Sequence, residues 1–155
     1  MDYTPTAYSV GRRFTTYAHE TALPFVFESG WVVMCDKPEF YLNSSARPVL
    51  QEIEGAWDEI KFLDGYPGEY IVIARRRGDK WIIGAINAGA TRKVTIPLDF
   101  LSGNYGSLLL CEDDKTDPRN QCIVHNISIE NEESLTFEMA ETGGFVAITK
   151  SKIKN

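Results

Sequence analysis

The chain predicts a mainly β fold: an antiparallel β-sandwich of about eight strands preceded by two or three α-helices. Three observations point to it. The pattern changes near residue 55, with apolar residues at helical spacing before it and short apolar runs bounded by Gly, Pro and Asp after it. Gly78-Asp79 forms a two-residue link between two apolar runs, which is a hairpin signal. In SLTFEMA, Leu135, Phe137 and Met139 alternate with Thr136 and Glu138, the signature of a half-buried antiparallel strand. At 155 residues with 43% hydrophobic side chains, the chain can build one ordinary core.

The helical zone covers residues 1–55. Phe14, Tyr17, Ala18, Thr21, Ala22 and Phe25 recur at spacings of three and four, which predicts a helix over 12–29 with Gly30 as its C-terminal cap. Pro24 lies inside it, lacks an N–H and should kink the last turns. A second short helix starts at Pro38, with Asp36 or Lys37 at its boundary. A third is expected over 46–54, with Ser44 or Ser45 as N-cap and Gly55 as stop. Phe25, Val26, Phe27, Trp31, Val32, Val33 and Met34 nearly make one apolar run, so this zone needs the β-zone, a partner or a further part of a larger protein to cover it.

The β-zone covers residues 56–155. Its strands are expected in WDEIKFLD, broken by Asp64-Gly65-Tyr66-Pro67-Gly68, then EYIVIARRR, KWIIGAIN, TRKVTIPLD, SLLLCED, NISIEN, SLTFEMA and GFVAITK. In TRKVTIPLD, Val94, Ile96 and Leu98 share one face while Lys93 and Thr95 share the other.

Charge narrows the function. A net charge of −6, with Arg75-Arg76-Arg77 as the one basic run, lacks the basic face that nucleic acid requires. No stretch reaches the roughly 20 apolar residues that span a membrane, and the first residues lack the basic-then-apolar layout of a signal peptide. Cys35, Cys111 and Cys122 include no CxxC pair, which argues against zinc. Cys111 and Cys122 flank a polar loop and can pair only if their strands are neighbours.

Catalytic candidates are weak. Glu20 and Glu28 are the acidic pair best placed on the predicted first helix, yet a cap or salt bridge explains them better than chemistry. His19 and His125, the two histidines, lie near no nucleophile motif. The loop Glu112-Asp113-Asp114-Lys115-Thr116-Asp117 lacks calcium-loop spacing and reads as a solvated loop. No catalytic, metal or cofactor residue is assigned. Trp57, Tyr66 and Tyr105 are the candidate rings for stacking on sugar. Trp81, between lysine and two isoleucines, reads as core.

The stretch WDEIKFLDGYPGEYIVIARRRGDKWIIGAINAG has a distinctive order of strand and turn residues. It resembles the C-terminal domain of glycoside hydrolase family 97, the α-glucosidase and α-galactosidase family. TIPLDFL looks like a strand end of that domain and GGFVAIT like its closing strand, while YAHETALPFVFESG looks like the last helix of the family's (β/α)8 barrel. The resemblance runs from about Tyr17 to Thr149. It implies an enzyme of three domains whose catalytic carboxylates and calcium-ligating glutamates lie outside this chain, and it suggests the bacterial periplasm. The expected function is a non-catalytic, truncated module that supports the barrel and oligomer contacts. Its partner would be a second copy or the missing barrel, met through the N-terminal apolar segment. A carbohydrate-binding module is the alternative, and a remnant of a glycosidase a second one.

Overall fold

A computed structural model describes residues 4–9, 11, 13–101 and 105–151. Eight strands build two antiparallel sheets: β1 (Glu59–Tyr66), β2 (Tyr70–Arg77), β3 (Lys80–Asn87), β4 (Arg92–Pro97), β5 (Tyr105–Asp113), β6 (Cys122–Ser128), β7 (Ser134–Met139) and β8 (Gly144–Ser151). Six of them form one sheet in the order β1-β2-β3-β8-β5-β6, and β4 pairs with β7 in a second. Ahead of the strands lie α1 (Tyr17–Val26), α2 (Pro38–Leu42) and α3 (Arg47–Leu50).

The six-stranded sheet is covered on both faces, by different layers. On one face Val94, Ile96, Phe137 and Met139 of the small sheet meet Trp81, Ile83, Phe145 and Ala147. On the other, Ala18, Ala22, Phe25 and Val26 of α1 pack on Ile82, Val146 and Ile148. The central strands β3 and β8 therefore read as continuous apolar runs, because neither face reaches water. The β4 and β7 strands alternate because one face does. Full burial of Phe25 alone removes enough apolar surface to stabilise the helix–sheet contact by about 1.5–3 kcal/mol. Gly84 lies beneath this contact: a Cβ there would stand 3.1 Å from the Cβ of Phe25, so glycine lets the helix approach the sheet.

The first helix is shorter than its spacing predicts. Residue 12, its expected start, lies outside the described residues. The helix begins after Thr16, whose hydroxyl accepts the backbone N–H of His19, and Phe14 is exposed before it. It ends at Phe27 rather than at Gly30. Pro24 stays inside it, and the helical partner that proline denies to the carbonyl of Glu20 is replaced by the Thr6 hydroxyl, which donates to that oxygen at 2.9 Å. Thr6 reaches this position with a φ of +67°, a backbone conformation β-branched residues seldom adopt. The second helix starts at Pro38 behind Lys37, as expected. The third is one turn over Arg47–Leu50, not a helix through residue 54.

Strand boundaries differ from expectation in two places. The Asp64-Gly65 step does not end β1: a bulge between Phe62 and Asp64 absorbs it and pairing continues to Tyr66 against Tyr70. The sixth strand starts at Cys122, four residues before NISIEN. The Gly78-Asp79 link is the tight turn expected, with Gly78 at φ +56°.

Candidate functional site

Buried polar groups fix the helix on the sheet. Asp113, at the end of β5, accepts hydrogen bonds from the Thr16 hydroxyl and from the backbone N–H groups of Ala140 (2.8 Å) and Gly144 (3.1 Å). Burial raises its carboxyl above the usual range, against the lowering effect of those donors. His19 lies beside it, 3.1 Å from the carbonyl of Gly143 through Nδ1, and burial lowers its ring. At the other end of α1, the guanidinium of buried Arg75 donates to the carbonyls of Phe25 (2.7 Å) and Val26 (3.0 Å) and lies 5.8 Å from the ring centre of Trp57. A cation at a helix C-terminus also meets the favourable end of the macrodipole.

These groups hold structure, and their geometry assigns no reaction to them. Glu20 is buried and accepts from the Ala7 N–H (3.0 Å) and the Thr15 hydroxyl (2.5 Å). Glu28 is exposed beyond the end of the helix, so the two carboxylates do not share a helical face. His125 pairs with Glu112 at 3.3 Å on the surface. In the acidic loop, Asp114 accepts from the N–H groups of Thr116 and Asp117, an ordinary turn. Among the described residues, no cluster of three or more His, Cys, Asp or Glu side chains is placed to hold a metal ion. Cys111 and Cys122 lie on neighbouring strands, yet both are buried free thiols, and Cys35 is an exposed one. Donation to Cys122 and burial raise the Cys111 thiol.

The three candidate rings do not form one platform. Trp57 is half-buried against the helix-side core, under Arg75. Tyr105 packs toward the opposite core, and burial raises its phenol, which donates to the carbonyl of Asp79 at 2.5 Å. Tyr66 is exposed at the far end of β1, across the length of the sheet from the Gly78-Asp79 turn. Trp81 is core, 2% exposed.

Among the described residues, two groups of apolar side chains stay open to water. The first lies between the end of α1 and the end of α2 in the chain, where Trp31 is 83% exposed and Val33, Phe40 and Leu42 are each about half-exposed. Val32, Met34, Leu50 and Ile53 line a shallow cavity of about 320 Å³ beside it. The second lies at the β1 edge: Ile60, Phe62 and Tyr66 are exposed, and Phe62, Tyr66, Ile71 and Ile86, with His19 of α1, line an open cavity of about 400 Å³. The expected apolar run therefore divides, with Phe25 and Val26 in the core and Trp31 and Val33 outside. Hydropathy marked the first surface in the sequence. The second was hidden because its residues sit in an ordinary strand that becomes an edge only through the topology.

Comparison with known proteins identifies the architecture. Residues 56–150 match the family model described as glycosyl-hydrolase 97 C-terminal, oligomerisation. The chain belongs to the C-terminal domain family of glycoside hydrolase family 97. It is 33% identical over 133 residues to a retaining α-galactosidase of Bacteroides thetaiotaomicron, covering 84% of this chain and 20% of that protein. It is 32% identical over 151 residues to a probable retaining α-galactosidase of Streptomyces bingchenggensis, covering 96% of this chain and 23% of that one. Among solved structures, a glycoside hydrolase family 97 enzyme from Pseudoalteromonas in complex with panose superposes with a TM-score of 0.89 at 26% identity, over 99% of this chain and 26% of that one. A β-arabinopyranosidase superposes at 0.76 with 27% identity, over 88% of this chain and 21% of its own. The chain thus spans less than a quarter of the length of these curated relatives.

Proposed function

We propose that this chain is a non-catalytic, self-associating module that supports a family-97-type catalytic barrel. The family description of the 56–150 match as an oligomerisation domain carries the reading. The exposed Trp31, Val33, Phe40 and Leu42 support its second half, since so many large apolar side chains left in water favour a covering partner. That partner in this reading is the barrel part of a family-97 enzyme, on the same polypeptide or a separate one. Residues 1–55 then form the element facing the barrel and 56–155 the domain proper, although α1 shares a core with the sheet. Catalytic carboxylates and calcium ligands would come from the barrel, and this chain supplies none.

Binding of carbohydrate is the second reading, favoured by the open cavity with the exposed rings of Phe62 and Tyr66 at its wall. Two assays on the purified chain separate the readings. The first predicts no hydrolysis of an aryl α-galactoside or α-glucoside and no heat on titration with panose. Turnover would overturn it. Millimolar panose affinity lost on Tyr66→Ala would establish the second.

A further inference from the structure

We propose that two copies of this chain join edge to edge through β1, around a two-fold axis at Ile60, to give one continuous twelve-stranded sheet; this rests on the self-association reading above. Among the described residues β1 has a single strand neighbour, β2, so one side of its backbone is unpaired. Such an edge is a template for another strand unless it is blocked. Here it carries no proline, its bulge falls after Phe62 and leaves residues 59–62 regular, its one lysine has Glu59 beside it at 3.1 Å, and its exposed side chains include Ile60 and Phe62.

Symmetry and charge select the register. With the axis perpendicular to the sheet, residues facing each other must point to the same face, so each residue-centred register pairs one residue with itself. Centring on Glu59 opposes two carboxylates, and centring on Lys61 opposes two ammonium groups. Centring on Phe62 runs the ladder through the bulge on both sides of the axis. Centring on Ile60 pairs isoleucine with isoleucine and sets Glu59 of each copy against Lys61 of the other, on both sides of the axis. Glu59 and Lys61 already lie 3.1 Å apart within one chain, and Arg76 binds the second oxygen of Glu59 at 3.1 Å. The four charges around the axis then alternate in sign. Opposite charges and an aliphatic pair directly across an antiparallel ladder are each favourable. The helix layers of both copies lie on one side of the joined sheet, so the open face beside Phe62 becomes continuous across the junction.

The test is sedimentation of the full chain with single substitutions, and disulfide trapping in a Cys35→Ser background. Ile60→Cys should cross-link to itself under mild oxidation, while Phe40→Cys should not. Ile60→Lys and Lys61→Glu should each weaken the dimer roughly tenfold or more, and Glu59→Lys added to Lys61→Glu should recover much of the loss. Circular dichroism melts confirm that these surface variants fold. If the unmodified chain dimerises but Ile60→Lys leaves it intact, or Trp31→Ser alone separates it, the β1 junction is refuted while self-association stands. If the unmodified chain is a monomer at all concentrations, both fail.

Discussion

Arg75→Met removes the clasp on the C-terminal end of α1 while keeping most of the side chain's apolar length. Arg75 is 2% exposed, and its guanidinium donates to Phe25 and Val26 at 2.7 and 3.0 Å. A hydrogen bond from a charged group contributes about 1.5–3 kcal/mol, and each buried carbonyl left without a donor costs about 1–3 kcal/mol. Methionine also spares the desolvation of a buried charge, which returns part of this. The net expectation is a loss of about 2–4 kcal/mol. Arg75→Lys keeps the charge but cannot reach both carbonyls in a fork, so it should lose about half as much. Urea unfolding followed by far-ultraviolet dichroism reads both as a lower midpoint at unchanged slope. A loss below about 0.5 kcal/mol for Arg75→Met, in the range of ordinary surface substitutions, would refute the clasp.

Three further outcomes follow from the same geometry. Burial holds the His19 ring below its ordinary value, so between that ordinary value and its lowered folded value the unfolded chain binds the extra proton; stability should fall as pH drops below about 6.5, by at most about 1.4 kcal/mol per unit, and His19→Gln should flatten this slope. A Cβ at Gly143 would collide with the carboxylate of Asp113 and stand 2.6 Å from the backbone nitrogen of Ala140, so Gly143→Ala should cost about 3 kcal/mol or more in thermal or urea melts. Trp31→Ser with Val33→Ser should change the stability of the isolated chain by about 0.5 kcal/mol or less while abolishing its binding to a family-97 barrel, measured by titration.

Where local chemistry decides, the sequence was a good guide. Period-two alternation and the Gly78-Asp79 turn located most strands closely, and KWIIGAIN matches β3 residue for residue. Features set by distant contacts were not legible. The end of α1 depends on Arg75, some 50 residues away, and Gly30 offered a closer but false stop. Residues Cys122 to His125 alternate in burial, but the exposed position between Cys122 and Val124 is an isoleucine, Ile123, which hides the alternation, and the start of that strand was missed. Separation of β4 and β7 into their own layer, and with it the two-sided cover of the large sheet, is a matter of pairing rather than pattern. The same holds for the candidate site: Tyr66 is exposed at the end of β1 rather than in the break expected at Asp64-Gly65, and the wedging of Trp57 under Arg75 and the bond of Tyr105 to Asp79 required the fold.

Sedimentation equilibrium of the purified chain over a wide concentration range is the most direct test of the central claim that this is a self-associating module. The account predicts a concentration-dependent rise to twice the mass of the chain. A single species of monomer mass throughout the range would contradict it.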